Sequence, residues 1–482
     1  TNSKFARHGA IEAHPIICLH FKIYEELFQT GSYNLPMLHP PRQWTSPHDG
    51  GFYSIPLPLV KSSEPSTSHA YMKKAHETGQ LASVYQSVNA LGMCAWTINQ
   101  FTLEAFNKIL KTSHLPGLPA TLRPKIESTP KPEPEKFPDE EAYRRAYYSW
   151  KQNEAENLKK EKGAHSSRIY YDMVNRLANS FAKNGEVLYL PHNMDFRGRV
   201  YPAVSFLSHQ NEDLVRSLMM FWDAKPLGET GYDWLVYQLA NLYNKSKTTM
   251  EQLKSFVETH ESSIIGSAED PLAENAWWLK ADNPWQVLAL CHEFDAIWKH
   301  PHDLASYRSR LPVHQDGSCN GLQHYSALGA DEKAARAVNV LPGDTMQDVY
   351  TTVLGLVEKR VSNDIESNPE NEREFARTAQ SFLSRKLIKQ TVMTTVYGVT
   401  PYGATQQVKK RIEEMTENVL ENSLLGAEKL RLAGYISGHV LESISDLFAG
   451  AELIQNWLVD CCSRCIQAYD PRDFPEPDKI DF

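Results

Sequence analysis

The stretch His314-Gln315-Asp316-Gly317-Ser318-Cys319-Asn320-Gly321-Leu322-Gln323-His324-Tyr325 holds one carboxylate, Asp316. It stands between the end of an expected short strand and two glycines that lead into a helical pattern. At the mouth of such a turn, both carboxylate oxygens and a nearby backbone carbonyl are open to a hard cation. Mg²⁺ takes oxygen ligands, keeps several waters and is held by one or two carboxylates, so this stretch suits half of a phosphoryl-transfer site. A single Asp in a turn is also the ordinary signature of a helix N-cap. What lies downstream decides between the two.

Downstream, Phe375 to Ile412 carries seven basic residues (Arg377, Arg385, Lys386, Lys389, Lys409, Lys410 and Arg411) and no Asp or Glu. In a chain of net charge −9 this is a local concentration of positive charge, suited to a triphosphate or a nucleic-acid backbone. An ordinary exposed helix face would be interleaved with acids. Arg385, Lys389, Met393 and Tyr397 recur every four residues. At about 100° per residue each step drifts about 40°, so the four share one spiralling face. They span roughly 18 Å at about 1.5 Å per residue, the reach of an extended nucleoside triphosphate. Arg385 and Lys389 would grip phosphates, Tyr397 would lie beside the sugar and base, and Gly398 permits a tight exit. A further phosphate candidate is Asp195-Phe196-Arg197-Gly198-Arg199-Val200-Tyr201-Pro202, after an expected strand at Val187–Leu190. Arg forks match phosphate geometry; the alternative is that Arg197 and Arg199 are tied into internal salt bridges.

The scaffold around these motifs reads as α+β with helices dominant and no internal repeat. The 482 residues exceed one ordinary core, and 41% hydrophobic with 23% charged residues is a globular composition. No stretch approaches the roughly 20 apolar residues of a membrane span. Seven scattered cysteines do not make a disulfide scaffold. Cys462 and Cys465 form a single C-x-x-C on a helical pattern, with no second pair for zinc. Helices are expected over Leu81–Leu110, Tyr143–Ala182, Leu214–His300, Thr345–Arg360, Phe375–Val396 and Val440–Ala468. A Pro-rich linker covers 116–138. Trp96, Phe101, Phe106, Trp277, Trp278 and Trp285 are assigned to cores.

The three motifs together resemble the single-subunit, phage-type DNA-directed RNA polymerases. His314–Tyr325 is similar to that family's motif A, and Arg385-Lys386-Leu387-Ile388-Lys389 with Tyr397-Gly398 to its motif B. Asp195–Pro202 is similar to its arginine-glycine-arginine element, and all three stand in family order. The wording is nearest to mitochondrial RNA polymerases, and the resemblance runs from about residue 14 onward. It implies a right hand: 1–124 ending an N-terminal domain and starting the linker, 125–183 a thumb, 184–330 the first part of a palm, and 331–482 fingers with a motif B helix at about 376–398. It further implies template-directed nucleotidyl transfer from NTPs with two Mg²⁺ ions. Asp316 and the Gly317 carbonyl would bind metal, Arg385 and Lys389 the triphosphate, and Lys389 would protonate leaving pyrophosphate. Tyr397 would sense the ribose 2′-OH, Tyr350 would lie near the template, and Arg197 and Arg199 would hold the DNA template or the RNA–DNA hybrid. Initiation factors and a mitochondrial matrix location are implied, with plastid or phage origin behind it, and no membrane.

The family pattern also needs a second Asp in a C-terminal His-Asp pair. His48-Asp49 and His302-Asp303 both precede Asp316, so the sequence reads as a fragment lacking the C-terminal palm, inactive alone. Two other classes are carried: a non-catalytic nucleic-acid-binding protein of polymerase shape, and an acyl hydrolase using Cys319 in G-x-C-x-G with His439.

Overall fold

The computed structural model describes residues 34–466 apart from 63–64, 113–129, 184, 246–247, 274, 301–302, 344, 368 and 417–425, together with His14. It divides into two compact units, one of Thr1–Ser246 with Leu253–Val313, the other of Lys247–Gln252 with His314–Phe482. The division falls just ahead of Asp316, whereas the expected palm–fingers boundary lay near residue 330.

In the first unit the described elements run β1 (Arg42–Ser46), β2 (Asp49–Gly51), β3 (Val60–Lys61), α1 (Pro65–Glu77), α2 (Ala82–Gly92), β4 (Ala95–Ile98), α3 (Gln100–Thr112), α4 (Glu140–Ala182), β5 (Leu188–Tyr189), β6 (His192–Asp195) and β7 (Val200–Pro202). There follow α5 (Asp213–Leu218), β8 (Met219–Phe221), β9 (Lys225–Pro226), α6 (Gly231–Leu242), α7 (Met250–Thr259), α8 (Glu261–Glu269), α9 (Pro284–Trp298) and β10 (Arg308–Ser309). The helix expected over Leu81–Leu110 is interrupted by β4, which pairs antiparallel with β5 and β8. Those partners lie far along the chain, so local apolar spacing could not reveal the strand. Trp96 of β4 is buried and stacks on Phe221 at 4.6 Å. Phe106, Trp278 and Trp285 are core residues, and Trp277 stacks on Tyr243 at 4.3 Å. α9 is buried on every side from Trp285 to Cys291, as a central helix is. Its first amides, Trp285 and Gln286, donate to the Asp213 carboxylate at 2.8 and 3.1 Å. Burial raises the Asp213 carboxyl even against these bonds.

The expected polar helical arm is one helix, α4, of 43 residues and about 65 Å. Asp139 caps it by accepting from the Ala142 amide at 2.7 Å, and Glu140 and Glu141 complement the positive end of the dipole. Its last turns bury Val174 and Ala178. Most of the expected Pro-rich linker lies outside the described residues.

The second unit is helical: α10 (Asn320–Leu328), α11 (Glu332–Ala337), α12 (Val349–Ser367), α13 (Glu370–Phe382), α14 (Arg385–Thr395), α15 (Pro401–Thr416), α16 (Gly426–Leu447) and α17 (Ala449–Ile466). One core joins Val353, Val357 and Val361 of α12 with Leu387, Ile388 and Val392 of α14 and Ile436, Val440 and Ile444 of α16. Burying each such side chain contributes about 1.5–3 kcal/mol, which fixes the orientation of α14.

Three elements differ from those the sequence leads one to expect. The helix over about 376–398 is two helices, because Leu383 and Ser384 adopt extended backbone between α13 and α14. Ser384 then caps α14, its hydroxyl accepting from the Leu387 amide at 3.3 Å. The helix over Val440–Ala468 is likewise two, parted at Phe448, whose ring is buried. No strand leads into Asp316: β10 stops at Ser309, and residues 311–317 belong to no helix or strand.

Candidate active site

Asp316 lies in the exposed loop ahead of α10. Its Oδ1 accepts from the Gly317 amide at 2.8 Å and from Asn320 Nδ2 at 3.1 Å, while Oδ2 has no hydrogen bond or ion pair among the described residues. It is not the cap of the following helix; that position is Cys319. The N-cap reading of the sequence is therefore excluded, and one carboxylate oxygen is turned out of the local hydrogen bonding. A Cβ on Gly317 would run into the Asn320 and Gln323 side chains. Both are the ends of flexible side chains, so an added Cβ would turn them aside and disturb the Asn320 bond to Asp316.

α14 leaves Lys389 and Met393 exposed and sets Arg385, half-buried, at the edge of the face that packs Leu387, Ile388, Thr391 and Val392. Tyr397 falls beyond the helix, in a turn closed by Gly398 at φ +72°, and is 66% exposed. The expected continuous face thus ends at Thr395. Arg385 is not free. Its Nε donates to Asp348 Oδ2 at 2.7 Å and its Nη2 to Asp348 Oδ1 at 3.3 Å. The guanidinium lies over the Tyr350 ring at 5.0 Å from the centroid, and the Lys389 ammonium is 5.9 Å from the same ring.

Tyr350 ties these cations to the Asp316 loop. Its hydroxyl is 3.4 Å from the Ser318 carbonyl oxygen, and burial, with Cys319 and Asp348 nearby, pushes the phenol up to about 12 despite Arg385. Asn339 makes a second tie: its Nδ2 donates to Ser318 Oγ at 2.6 Å and to the Gln347 carbonyl at 2.8 Å, and its Oδ1 accepts from the Gln347 amide at 2.7 Å. Asn339 holds φ +61°, a conformation Asn tolerates better than most residues. A third contact joins α10 to the end of α14, where a Cβ on Gly321 would come within 2.6 Å of Val396. Asp316, Tyr350, Arg385, Lys389 and Tyr397 are therefore carried by elements that meet within one unit.

The charge of this region is smaller than the sequence count implies. Acids outside the window neutralise it: Glu370 pairs with Arg377 at 3.6 Å, Asp348 with Arg385, Glu413 with Lys409 at 3.3 Å and Glu414 with Arg411 at 2.6 Å. Lys386, Lys389 and Lys410 remain without an ion pair among the described residues. Asp348, Asn339 and Ser318 were missed by sequence reasoning. Asp348 fell inside the helix expected over Thr345–Arg360, and nothing local in the sequence linked it to Arg385; the helix itself begins at Val349.

Arg197 and Arg199 belong to the first unit, on the turn between β6 and β7. Asp195 organises that turn. Its carboxylate accepts from Arg197 Nε (3.1 Å), Arg197 Nη2 (2.8 Å), the Arg197 and Arg199 amides (2.9 and 3.1 Å) and the Tyr201 hydroxyl (3.2 Å). Burial pushes this carboxyl upward, but the Arg197 side chain and the two amides outweigh it and hold it below the usual carboxylate range. Arg197 is thus in the internal salt bridge the sequence left open, while Arg199 is exposed and has no ion pair among the described residues. Phe196, at the tip, is 82% exposed.

The acyl-hydrolase constellation does not form. Cys319 is in the hydrophobic core, burial raises its thiol, and His439 Nε2 is engaged with Asp364 Oδ2 at 3.1 Å. A nucleophilic cysteine needs the opposite shift. Cys462 and Cys465 are exposed on α17, and no group of metal-ligating residues surrounds them among the described residues.

Residues 225–479 match the family model described as DNA-dependent RNA polymerase, and residues 2–93 the model described as DNA-directed RNA polymerase N-terminal. The chain is 36% identical over 449 residues to the mitochondrial DNA-directed RNA polymerase of Neurospora crassa, covering 92% of this chain and 30% of that protein. The Schizosaccharomyces pombe enzyme is 37% identical over 433 residues, covering 89% of this chain and 36% of that protein. The Homo sapiens enzyme is 35% identical over 454 residues, covering 94% and 36%. The chain spans about a third of the length of these relatives. It belongs to the single-subunit, phage-type DNA-dependent RNA polymerase family.

Proposed function

We propose that this chain is part of a mitochondrial DNA-directed RNA polymerase, acting in the matrix, and that its second unit binds the incoming NTP. The observation that carries the reading is Tyr350, whose ring is shared by Arg385 and Lys389 while its hydroxyl reaches the loop after Asp316. A metal carboxylate and two phosphate-binding cations on one such platform are the elements of nucleotidyl transfer. In the hand-shaped description, α4 belongs to the thumb, 184–330 to the palm and the helices from 331 to the fingers.

The donors around Asp316 suit Mg²⁺: an outward carboxylate oxygen and the exposed Gly317 backbone are both hard oxygen donors. No cluster of three metal-ligating side chains exists among the described residues. Mg²⁺ needs none when substrate phosphates and water complete its shell. In the completed two-ion site, the metal supplies charge neutralisation of the phosphates and activation of the attacking 3′ hydroxyl. Arg385 and Lys389 hold the triphosphate, so that the bond from the RNA 3′ oxygen to the α-phosphorus forms as pyrophosphate leaves. Lys389 gives the leaving pyrophosphate its proton. Tyr397, exposed beyond the helix, reads the ribose 2′-OH. Tyr350 lies near the template base, and Arg199, exposed and without an ion pair among the described residues, holds the template strand or the RNA–DNA hybrid, with Arg197 contributing only through the part of its guanidinium outside the Asp195 bridge. Initiation factors are expected partners.

Asp316→Ala in the full-length polymerase tests the reading. NTP incorporation on a primed template should disappear while template binding stays within about twofold, since a distant carboxylate adds little to backbone affinity. Undiminished incorporation would refute the metal role of Asp316, whereas template binding with no incorporation by the unsubstituted protein would favour a non-catalytic binding protein of polymerase shape.

A further inference from the structure

We infer that Asp348 is a positioning residue for Arg385, an inference that rests on the triphosphate role proposed for that arginine. The Asp348 carboxylate is itself held. Its side chain is 11% exposed, and Oδ2 accepts from Thr351 Oγ1 at 2.6 Å as well as from Arg385 Nε at 2.7 Å. Its backbone is fixed on both sides. The preceding Gln347 is clamped by Asn339, which also holds Ser318, and the Asp348 carbonyl accepts from the Thr352 amide at 2.9 Å to begin α12. Asp348 is thus built into the same strap that reaches the Asp316 loop.

The side of the guanidinium that Asp348 takes matters. Arg385 is held along its Nε–Nη2 edge, with the Tyr350 ring against its face. The Nη1 edge is left for an incoming phosphate, and the side chain is 34% exposed. Two effects oppose one another. The carboxylate offsets part of the positive charge that a triphosphate would meet, but it also fixes a flexible side chain before the ligand arrives. Because phosphate can bind the remaining edge without displacing Asp348, pre-organisation outweighs competition. Loss of the carboxylate should therefore weaken NTP binding, by about three- to tenfold for one rotamer-rich side chain.

The test is steady-state incorporation by the full-length polymerase on a primed template, with thermal unfolding followed in parallel. Asp348→Asn should raise the NTP KM by about three- to tenfold with kcat within about twofold. In an Arg385→Ala background, the same substitution should raise KM no further, because nothing remains to position. An equal KM increase in both backgrounds would assign Asp348 a merely structural role and overturn the inference. If Arg385→Ala raises KM and Asp348→Asn does not, the inference fails alone; if Arg385→Ala leaves KM unchanged, the triphosphate reading fails with it. Should Asp348→Asn not fold, Arg385→Lys serves in its place. It keeps the charge but loses the fork that Asp348 holds, so an unchanged KM there overturns the inference.

Discussion

The Arg385 guanidinium lies 5.0 Å from the centroid of the Tyr350 ring. Tyr350 stands in the first turn of α12 and Arg385 opens α14, so the contact joins the beginnings of two helices whose inner faces share one core. Cation–π contact is worth about 0.5–1 kcal/mol at exposed sites and more when desolvated. Tyr350→Leu should accordingly raise the NTP KM by about fivefold, with Lys389 losing the same platform. Tyr350→Phe keeps the ring and gives up the long bond to Ser318 and the hydroxyl's contact with the Cys319 thiol, so its KM should stay within about twofold of the parent. Comparable defects in both variants would show that the hydroxyl, not the ring, matters.

Gly321 offers a separate handle. An added Cβ would meet Val396 Cγ2 at 2.6 Å, with Tyr397 as the next residue. Gly321→Ala gains up to about 1 kcal/mol of helix propensity, against about 1–3 kcal/mol of overpacking. A lower unfolding midpoint and weaker NTP-over-dNTP selection are expected. Val396→Ala in the same chain should recover both. Failure of that second substitution to recover selection would separate the α10 contact from Tyr397.

Tyr397→Phe removes only a hydroxyl from a residue that is 66% exposed. Stability should change by less than about 0.5 kcal/mol. Selection of NTP over dNTP should relax by more than correct addition slows, because the hydroxyl is the group proposed to meet the 2′-OH. Unchanged selection in single-nucleotide incorporation would remove the sugar-sensing role.

Asp195 sets a pH dependence in the first unit. Its folded carboxyl lies below the unfolded value near 3.9, so the stability it contributes is fully present above about pH 4. That contribution is lost as pH falls through the lower, folded value. Asp195→Asn should lower the unfolding midpoint at neutral pH. The gap from the parent should narrow as pH drops below about 4. A gap that stays constant with pH would mean that the amide geometry alone, not the charge, holds the turn.

The site illustrates where sequence reasoning stops. The spacing of Arg385, Lys389 and Met393 is a local property of a helix, and α14 carries them along one side, Lys389 and Met393 exposed and Arg385 half-buried at the edge of the packed face. The break at Leu383–Ser384 was not legible, because nothing in the apolar period changes there; extended backbone and the Ser384 cap divide the segment. The apparent run of uncompensated positive charge failed for a related reason. Counting within a window ignores acids such as Asp348, which lies outside it and reaches Arg385 only through the packing of α12 against α14.

Short motifs in fixed order are enough to identify the family, and apolar periods, which depend only on neighbours along the chain, the helix-dominated α+β class. The motifs also set which residue types were available for metal and phosphate. Tertiary structure alone decided how they are held: Asp316 with one oxygen bound locally and the other open, Arg385 fastened to Asp348 over Tyr350, and Arg197 drawn back onto Asp195. β4 likewise became a strand only because β5 and β8 lie beside it. Ladder pairing, ion pairing and ring stacking act between residues that are distant in sequence, and only the folded chain brings them together.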